Sequence, residues 1–353
     1  MPGKKTVFVS DIHLGPGNPW DWFNIQIEGR YLVSFFEYLA TRRDVKEIVL
    51  LGDVFDLWVC PHNDPPHIFD NILLAHKDVM AAITKTAAKI PTLYINGNHD
   101  FEVTPEMITE AFGGKVTHVG DIYRRRNLHA EHGHRHALFN CPDPKNGGHL
   151  RLPVGYYITR LHTTLKKMEI SAGVETRHTK FRLVYEIIDE AFQVMGPEKL
   201  PESILDALRD SVVKLGEPVV KFNMGNDALN EDYLTIRDRY RNLYQDWFEA
   251  VGFWRSTQMI MSELNRLGSV ADSLCKNGVR MVVFGHSHGT KMDKDSILVD
   301  NRIYANCGYW CGFGDEDDAK NNAHFVESDC ETQVALYSFR EEKPKLDERL
   351  KLS

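Results

Sequence analysis

Four short apolar runs in the chain end abruptly at polar motifs. TVFVS ends at Asp11, EIVLL ends at GD (residues 52 and 53), PTLYI leads into NGNHD (residues 96–100), and RMVVF leads into GHSHG (residues 285–289). Short runs rich in β-branched and aromatic residues, bounded by glycine and polar residues, predict buried strands. The polar motifs therefore mark the ends of four predicted strands.

Helical patterns separate the first three of these runs. EGRYLVSFFEYLATRR places Leu32, Phe35 and Leu39 at helical spacing, and residues 68–89 predict a second helix. Alternation of strand and helix predicts βαβ units, an α/β fold class and a largely parallel sheet. Because ligands bind beyond the carboxyl ends of such strands, the four motifs indicate one shared site.

The pattern changes after residue 140. A long helical region follows, including HTKFRLVYEIIDEAFQVM (residues 178–195) with an apolar stripe, and the α/β pattern resumes at RMVVF. We therefore predict a core of residues 1–140 and 266–340, an inserted helical cap subdomain of residues 141–265, and a charged C-terminal tail of residues 341–353. The insertion could serve as a lid over the site or as an oligomer interface, and the oligomeric state stays open.

Composition narrows the class of protein. The chain has 353 residues, 42% hydrophobic and 26% charged, which is typical of a soluble globular protein. Its formal net charge of −8 argues against nucleic acid as a partner. The six cysteines form no CxxC pair, the N-terminus lacks the apolar run of a signal peptide, and no stretch resembles a spanning helix. We expect a cytoplasmic protein, and peripheral contact with a membrane is compatible with this.

Two motifs place potential ligands two residues apart. These are Asp11 and His13 in DIH, and His286 and His288 in GHSH. In an extended backbone, residues i and i+2 point to the same face, so we expect each pair to project together from a strand end. Either motif alone is also common as an ordinary polar turn.

Three further motifs add candidate side chains. They are Asp53 and Asp56 in GDVFD, Asn98 and His99 in GNHD, and His132, His134 and His136 in HAEHGHRH. Each has an ordinary alternative as a cap or polar turn. Their value lies in the combination of residue types.

The combined donors suit a pair of transition-metal ions. Two carboxylates, one carboxamide and four imidazoles provide oxygen and nitrogen without thiolate, which favours Mn, Fe or Zn over Ca or Mg. Seven ligands exceed the needs of one tetrahedral ion, so two ions that share a carboxylate fit better. Such pairs, about 3.5–4 Å apart, catalyse hydrolysis of phosphate esters.

The ordered set D-x-H, G-D-x-x-D, G-N-H-D, H-G and G-H-x-H resembles the calcineurin-like metallophosphoesterase superfamily. The five blocks run from Asp11 to His288 in the family's order. The resemblance implies a sandwich of two mixed β-sheets flanked by helices, with the helical insertion added to this catalytic core. It also implies two divalent metal ions, with Mn as the first candidate and Fe or Zn as alternatives.

The resemblance assigns a role to each matched residue. The implied ligands of the first metal are Asp11, His13, Asp53 and His288, and those of the second are the bridging Asp53 with Asn98, His132 and His286. His132 is chosen over His134 because it precedes the glycine of the H-G block. His99 is implied as a catalytic proton donor or charge stabiliser, and Asp56 as the residue that orients it.

Within the superfamily, the chain is most similar to the UDP-2,3-diacylglucosamine hydrolase subgroup. GDVFDLWV, NGNHDF and YANCGYW (residues 304–310) carry this similarity. The hydrolases of this subgroup show arginine where this chain has His99, and their helical insertion is shorter.

The function implied is a metal-dependent phosphoesterase. It would hydrolyse a phosphodiester, phosphomonoester or pyrophosphate bond by attack of metal-bound hydroxide, on a small-molecule, nucleotide-sugar or lipid-linked substrate. Two alternatives are a DNA or RNA nuclease on the same core and a non-catalytic metal-binding scaffold. The acidic charge disfavours the first, and the complete ligand set disfavours the second.

Overall fold

The fold was analysed in a computed structural model. The structure describes residues 4–142, 152–173, 199–216, 219–263, 267–296, 298–312, 322–340 and 343–353. The predicted helix at residues 178–195 lies outside the described residues.

The described strands are numbered in chain order. They are β1 (Lys5–Val9), β2 (Val45–Leu51), β3 (Thr92–Ile95), β4 (Val116–His118), β5 (Ile122–Arg125), β6 (Leu128–Glu131), β7 (Lys221–Phe222), β8 (Glu231–Asp232), β9 (Met281–Phe284), β10 (Thr290–Lys294), β11 (Ile303–Cys307), β12 (His324–Ser328), β13 (Gln333–Arg340) and β14 (Lys343–Lys351).

The described α-helices are numbered in the same way. They are α1 (Glu28–Leu39), α2 (Phe69–Ala75), α3 (Lys77–Ala87), α4 (Pro105–Ala111), α5 (Val154–Ser171), α6 (Leu200–Lys214), α7 (Tyr233–Tyr240), α8 (Leu243–Val251), α9 (Phe253–Glu263) and α10 (Gly268–Cys275). None of the helices in these described segments is long and apolar enough to cross a membrane.

Two mixed sheets form the centre of the fold. The first has the strand order β14-β13-β12-β1-β2-β3-β4, with β1 to β4 parallel and the other three antiparallel to their neighbours. The second has the order β10-β11-β9-β6-β5, in which β9 is parallel to both β6 and β11. The predicted α/β sandwich of two mixed sheets is confirmed.

Alternation along the strands explains why the sheets stack. In β1, Phe8 enters the apolar layer between the sheets, whereas Val7 and Val9 enter the layer beneath α1 and α3. Val283 of β9 enters the shared layer from the second sheet, while Phe284 packs beneath α10. Because successive strand residues face opposite sides, each sheet has two buried faces.

Three features differ from the sequence prediction. The RMVVF strand, β9, lies in the second sheet and not beside β1 to β3. The predicted helix at residues 68–89 is two helices, α2 and α3, separated at His76. The ring N–H of His76 at Nε2 donates to the Gly15 carbonyl oxygen at 2.7 Å. The predicted charged tail is not a free extension: residues 343–351 form β14, an edge strand paired with β13. Its charged side chains stay exposed while its backbone completes the sheet, as is common at protein sheet edges.

Helix α5, which lies in the predicted insertion, contacts the segment that follows the GDVFD motif. Arg160 on this helix is fully buried, and its guanidinium donates to the carbonyls of Pro61 (2.9 Å) and His62 (3.2 Å), which follow the GDVFD motif. Thr164, one turn later, accepts from the His62 backbone N–H at 2.9 Å. The described part of residues 141–265 also contains α6 to α9, as the helical pattern predicted. It also contains the short β7–β8 hairpin, which the sequence did not indicate.

Candidate metal centre

The candidate ligands lie just beyond strand ends, as predicted, but their backbone is not extended. Asp11, His13, Asp53, His286 and His288 all have left-handed φ, between 49° and 66°. The extended i, i+2 geometry expected for DIH and GHSH is therefore wrong. Left-handed backbone at residues other than glycine is strained, and such strain concentrates at functional sites.

Three side chains meet in a first group. One ligand atom from each of Asp11, His13 and His288 lies within 4.8 Å of the others. His288 Nε2 is 3.1 Å from Asp11 Oδ1 and 3.1 Å from His13 Nε2. These are three of the four residues assigned to the first metal, and the fourth, Asp53, has its Oδ2 3.7 Å from His13 Nε2.

A second group contains Asp53, and a set with the same spacing, His13, Asp53 and His99, links it to the first. Ligand atoms of Asp53, His132 and His286 lie within 4.8 Å of one another. His132 Nε2 is 3.1 Å from Asp53 Oδ2, the same oxygen that faces His13. His134 lies beside this group, with its ring centroid 5.5 Å from that of His132. Among the described residues, His134 belongs to no cluster with metal-ligand spacing, so the geometry agrees with the choice of His132.

Asn98 lies next to the second group. The backbone N–H of the following residue, His99, donates to Asp53 Oδ1 at 2.8 Å. The amide group of Asn98 donates to Asn140 at 3.3 Å, whereas its Oδ1 is buried and accepts no hydrogen bond from the described residues. A buried oxygen without a donor is costly unless something else binds it.

Two glycines make this close approach possible. A Cβ atom at Gly97 would clash with Asp53 Oδ1, and one at Gly285 would clash with Asp11 Oδ2 and Ser10 Oγ. The glycines of GNHD and GHSH therefore leave space for the carboxylates.

Charge keeps the carboxylates ionised. Burial favours the neutral form of Asp53, but the charges of His132 and His99 outweigh burial and hold its pKa well below the usual value. The pKa of Asp11 is lowered in the same way, against burial, by His132 and His288. Ionised carboxylates are the form that binds a cation.

The ring of His132 is oriented by a hydrogen bond on the side away from Asp53. His132 Nδ1 lies 2.9 Å from the carbonyl oxygen of Leu51, so it donates there and leaves Nε2 directed at Asp53. Burial lowers the pKa of His286 to about 3, assisted by the charge of His132. For His132, Asp53 and Asp11 outweigh burial and raise the pKa to about 9. Metal-binding histidines typically use one ring nitrogen as a ligand while the other donates to a carbonyl or carboxylate.

Asp56 connects the metal-binding and catalytic candidates. Its carboxylate accepts from His99 Nδ1 at 2.9 Å and from His13 Nδ1 at 3.0 Å. The backbone N–H groups of Trp58 and Val59 also donate to it, at 3.0 and 2.9 Å. The predicted contact with His99 is confirmed, and the contact with His13 is new. Despite burial, His99 and His13 hold the pKa of Asp56 far below its usual value.

The surroundings of His99 favour its protonated, positively charged form. Burial would lower its pKa, but the carboxylates of Asp56 and Asp53 outweigh burial and raise it. Because ionised Asp56 can only accept, His99 Nδ1 must carry a proton in this contact.

Two supporting residues had no role in the sequence analysis. Asp100 accepts from the backbone N–H of Gly97 (2.6 Å) and of Val54 (2.8 Å), which joins the GNHD and GDVFD loops. Asn306 donates to the Gly285 carbonyl at 2.7 Å and fixes the GHSH loop. Their positions inside GNHD and YANCGYW were the available signals.

The donor set fits a divalent metal pair. Ionised carboxylates, imidazole nitrogens oriented by partners on the opposite side of the ring, and the unsatisfied Asn98 oxygen converge from five loops. Nitrogen and oxygen donors of this kind suit Mn, Fe or Zn.

Comparison with known proteins finds relatives over about a third of the chain. The chain is 28% identical over 122 residues to a UDP-2,3-diacylglucosamine hydrolase of Shewanella pealeana, which covers 34% of this chain and 42% of that protein. A hydrolase of the same name from Coxiella burnetii is 28% identical over 98 residues, or 28% of this chain and 33% of that protein. The family resemblance is confirmed. The matches span less than half the length of these UDP-2,3-diacylglucosamine hydrolases.

Two other comparisons add little. No family model matches the chain. Vacuolar protein sorting 29 from Cryptosporidium parvum aligns over 100% of both chains with a TM-score of 0.35 and 10% identity, a similarity too low to carry an argument.

Proposed function

We propose that the protein is a dinuclear-metal-dependent phosphoesterase that hydrolyses a phosphodiester, phosphomonoester or pyrophosphate bond. The position of Asp53 Oδ2 carries this proposal, because the oxygen lies 3.7 Å from His13 Nε2 and 3.1 Å from His132 Nε2. A single carboxylate oxygen between two ligand groups is what two ions sharing one bridge require.

Residues of the chain would hold the two ions, donate a proton and orient the proton donor. Asp11, His13, Asp53 and His288 would hold one ion, and Asp53, Asn98, His132 and His286 the other. Two such ions activate a nucleophile and neutralise charge on the phosphoryl oxygens. His99 keeps its Nδ1 proton on Asp56; the raised pKa favours a second proton on Nε2, which would pass to the leaving oxygen or stabilise charge that develops there. Asp56 holds that ring at 2.9 Å.

The names of the relatives suggest the substrate class. Two curated relatives are UDP-2,3-diacylglucosamine hydrolases, so a pyrophosphate linkage in a nucleotide sugar, with or without lipid chains, is the first substrate to test. We propose Mn as the first metal and a cytoplasmic location, with no nucleic-acid partner.

The test begins with metal-free protein. Chelator-treated enzyme is reloaded with Mn²⁺, Fe²⁺, Zn²⁺ or Mg²⁺, bound metal is counted by elemental analysis, and hydrolysis is measured on four substrates. These are bis-p-nitrophenyl phosphate, p-nitrophenyl phosphate, UDP-2,3-diacylglucosamine and single-stranded DNA. We expect close to two ions per chain, activity on at least one of the first three, and none on DNA.

Variants separate binding from chemistry. Asp53→Asn should lose both metal and activity, whereas His99→Gln should keep its metal and lose about 10²–10⁴-fold in kcat. Asp78→Asn, an exposed carboxylate in the first turn of α3, is the matched control and should behave as wild type. Two bound ions without hydrolysis of any substrate would favour the metal-binding scaffold, fewer than one ion per chain would overturn the dinuclear centre, and activity confined to DNA would favour the nuclease.

A further inference from the structure

The ring of His99 lies between two buried indoles. Its centroid is 4.9 Å from that of Trp22, with 49° between the planes, and 4.7 Å from that of Trp58, with 31° between them. Trp22 is 2% exposed and Trp58 is fully buried. The sequence analysis assigned neither indole a role in catalysis.

We propose that Trp58 is a positioning residue for His99, which fixes the plane of the imidazole so that its outer nitrogen faces the leaving group. The proposal rests on the catalytic role proposed for His99. It adds that catalysis by His99 depends on the packing of Trp58 against its ring.

Asp56 and Trp58 constrain different motions of the ring. The hydrogen bond to Asp56 fixes Nδ1 but still allows the ring to tilt about that contact. The indole face, with its centroid 4.7 Å away and its plane inclined by 31°, opposes that tilt. Trp58 is itself held at its backbone, because its N–H donates to Asp56 Oδ1 at 3.0 Å. The same carboxylate therefore sets both the ring and its support.

The contact of Trp58 with His99 involves the indole ring and not its nitrogen. Nε1 is buried and has no hydrogen-bond partner among the described residues. Trp247 Nε1 is in the same state, so the contact of the indole ring with His99 is what sets Trp58 apart.

Trp58 is a cleaner target than Trp22. The Trp22 ring also lies 4.8 Å from His13 and 6.0 Å from His288, so changing it would disturb candidate metal ligands. The other ring neighbours of Trp58 are Phe101 at 6.2 Å and Tyr156 at 5.8 Å. Tyr156 belongs to α5, so the inserted region packs against the residue that supports His99.

The test combines kinetics with a double-mutant cycle. Trp58→Leu should lower kcat by roughly 10–100-fold, the scale of an ångström-sized misplacement, with KM and metal content unchanged. Trp58→Phe, which keeps an aromatic face, should recover most of the loss at close to wild-type stability. In a His99→Gln background, Trp58→Leu should cause no further loss, because the support has nothing left to position. Trp247→Leu, which removes a buried indole of α8, is the control for general destabilisation.

A second readout needs neither metal nor activity. In metal-free protein, the ring-proton NMR signals of His99, identified by their absence in His99→Gln, should be displaced by the currents of the flanking indoles. Trp58→Leu removes one of these currents and, because the ring is then free to tilt, should also change the nuclear Overhauser contacts between the His99 ring protons and Trp22. If that variant does not fold, Trp58→Phe should give a smaller shift in the same direction.

The outcomes separate the two proposals. Additive losses in Trp58→Leu and His99→Gln, or unchanged His99 signals, would overturn the positioning role even in an active enzyme. If wild type hydrolyses none of the substrates, the proposed function fails, and the NMR measurement alone decides whether Trp58 holds the ring.

Discussion

Replacing Asp56 by asparagine tests the network behind the metal centre. The carboxylate accepts four hydrogen bonds, from the rings of His99 and His13 and from the backbone of Trp58 and Val59. Asparagine can place its oxygen where Oδ1 lies and retain three of them. Its NH₂ group then faces the Nδ1–H of His13, a donor against a donor.

The expected loss follows from that single contact. A hydrogen bond to a charged group contributes about 1.5–3 kcal/mol, and a buried unsatisfied donor costs about 1–3 kcal/mol. We therefore expect Asp56→Asn to lower the free energy of unfolding by roughly 3 kcal/mol, measured with urea in chelator. His13 could avoid this by moving its proton to Nε2, but that nitrogen could then no longer bind a metal.

The assay accordingly measures stability and metal affinity together. A stability loss, or a weakening of Mn²⁺ binding by about 10–100-fold, is expected from disturbing a ligand's hydrogen-bond partner. Asp78→Asn should change stability by less than about 0.5 kcal/mol. If Asp56→Asn matched the control in both measurements, the role assigned to this network would be refuted.

Three further predictions concern Glu28, Gly97 and β14. Burial, opposed by the Asn24 N–H, raises the pKa of Glu28 from 4.5 to about 8, so the folded protein holds a proton that the unfolded chain releases. Its stability should fall by up to about 1.4 kcal/mol per pH unit as pH rises between those values, and Glu28→Gln should flatten that dependence in thermal melts. Gly97→Ala should displace Asp53 and cut bound metal to one ion or fewer by elemental analysis. A chain ending at residue 340 should melt earlier and self-associate in size-exclusion chromatography, because β13 becomes an unpaired edge.

The strands at the site could be predicted because their signal is local. TVFVS, EIVLL, PTLYI and RMVVF are mostly apolar, and each contributes to a largely buried strand. HFVES gave no such signal, yet β12 is buried along its whole length. Its Glu327 is satisfied by Lys5 and Arg42, both at 2.9 Å and both distant in sequence. Only the tertiary fold reveals that this charge is paired.

The candidate ligands were predictable, but the way they are held was not. Residue types and motif order indicated which side chains would meet, and the structure brings the carboxylates and imidazoles into one group around Asp11 and another around Asp53, linked by the contact of Asp53 with His13. Their left-handed backbone was missed because aspartate and histidine, although enriched in this region, adopt it only occasionally. Contacts between loops hold this conformation: the backbone N–H groups of Ile12 and His13 both donate to the Asp53 carbonyl, at 2.8 and 2.9 Å. Such contacts depend on the packing of β1 against β2.

The left-handed backbone at five candidate ligands has a consequence for protein engineering. Each such residue raises the energy of the native state by about 1–2 kcal/mol relative to glycine, which enters this region without strain. Selection for heat resistance alone would therefore enrich glycine at positions such as His286 and His288 and yield a robust but inert protein. Libraries built on this chain should leave these positions unvaried, so that thermal tolerance is gained elsewhere.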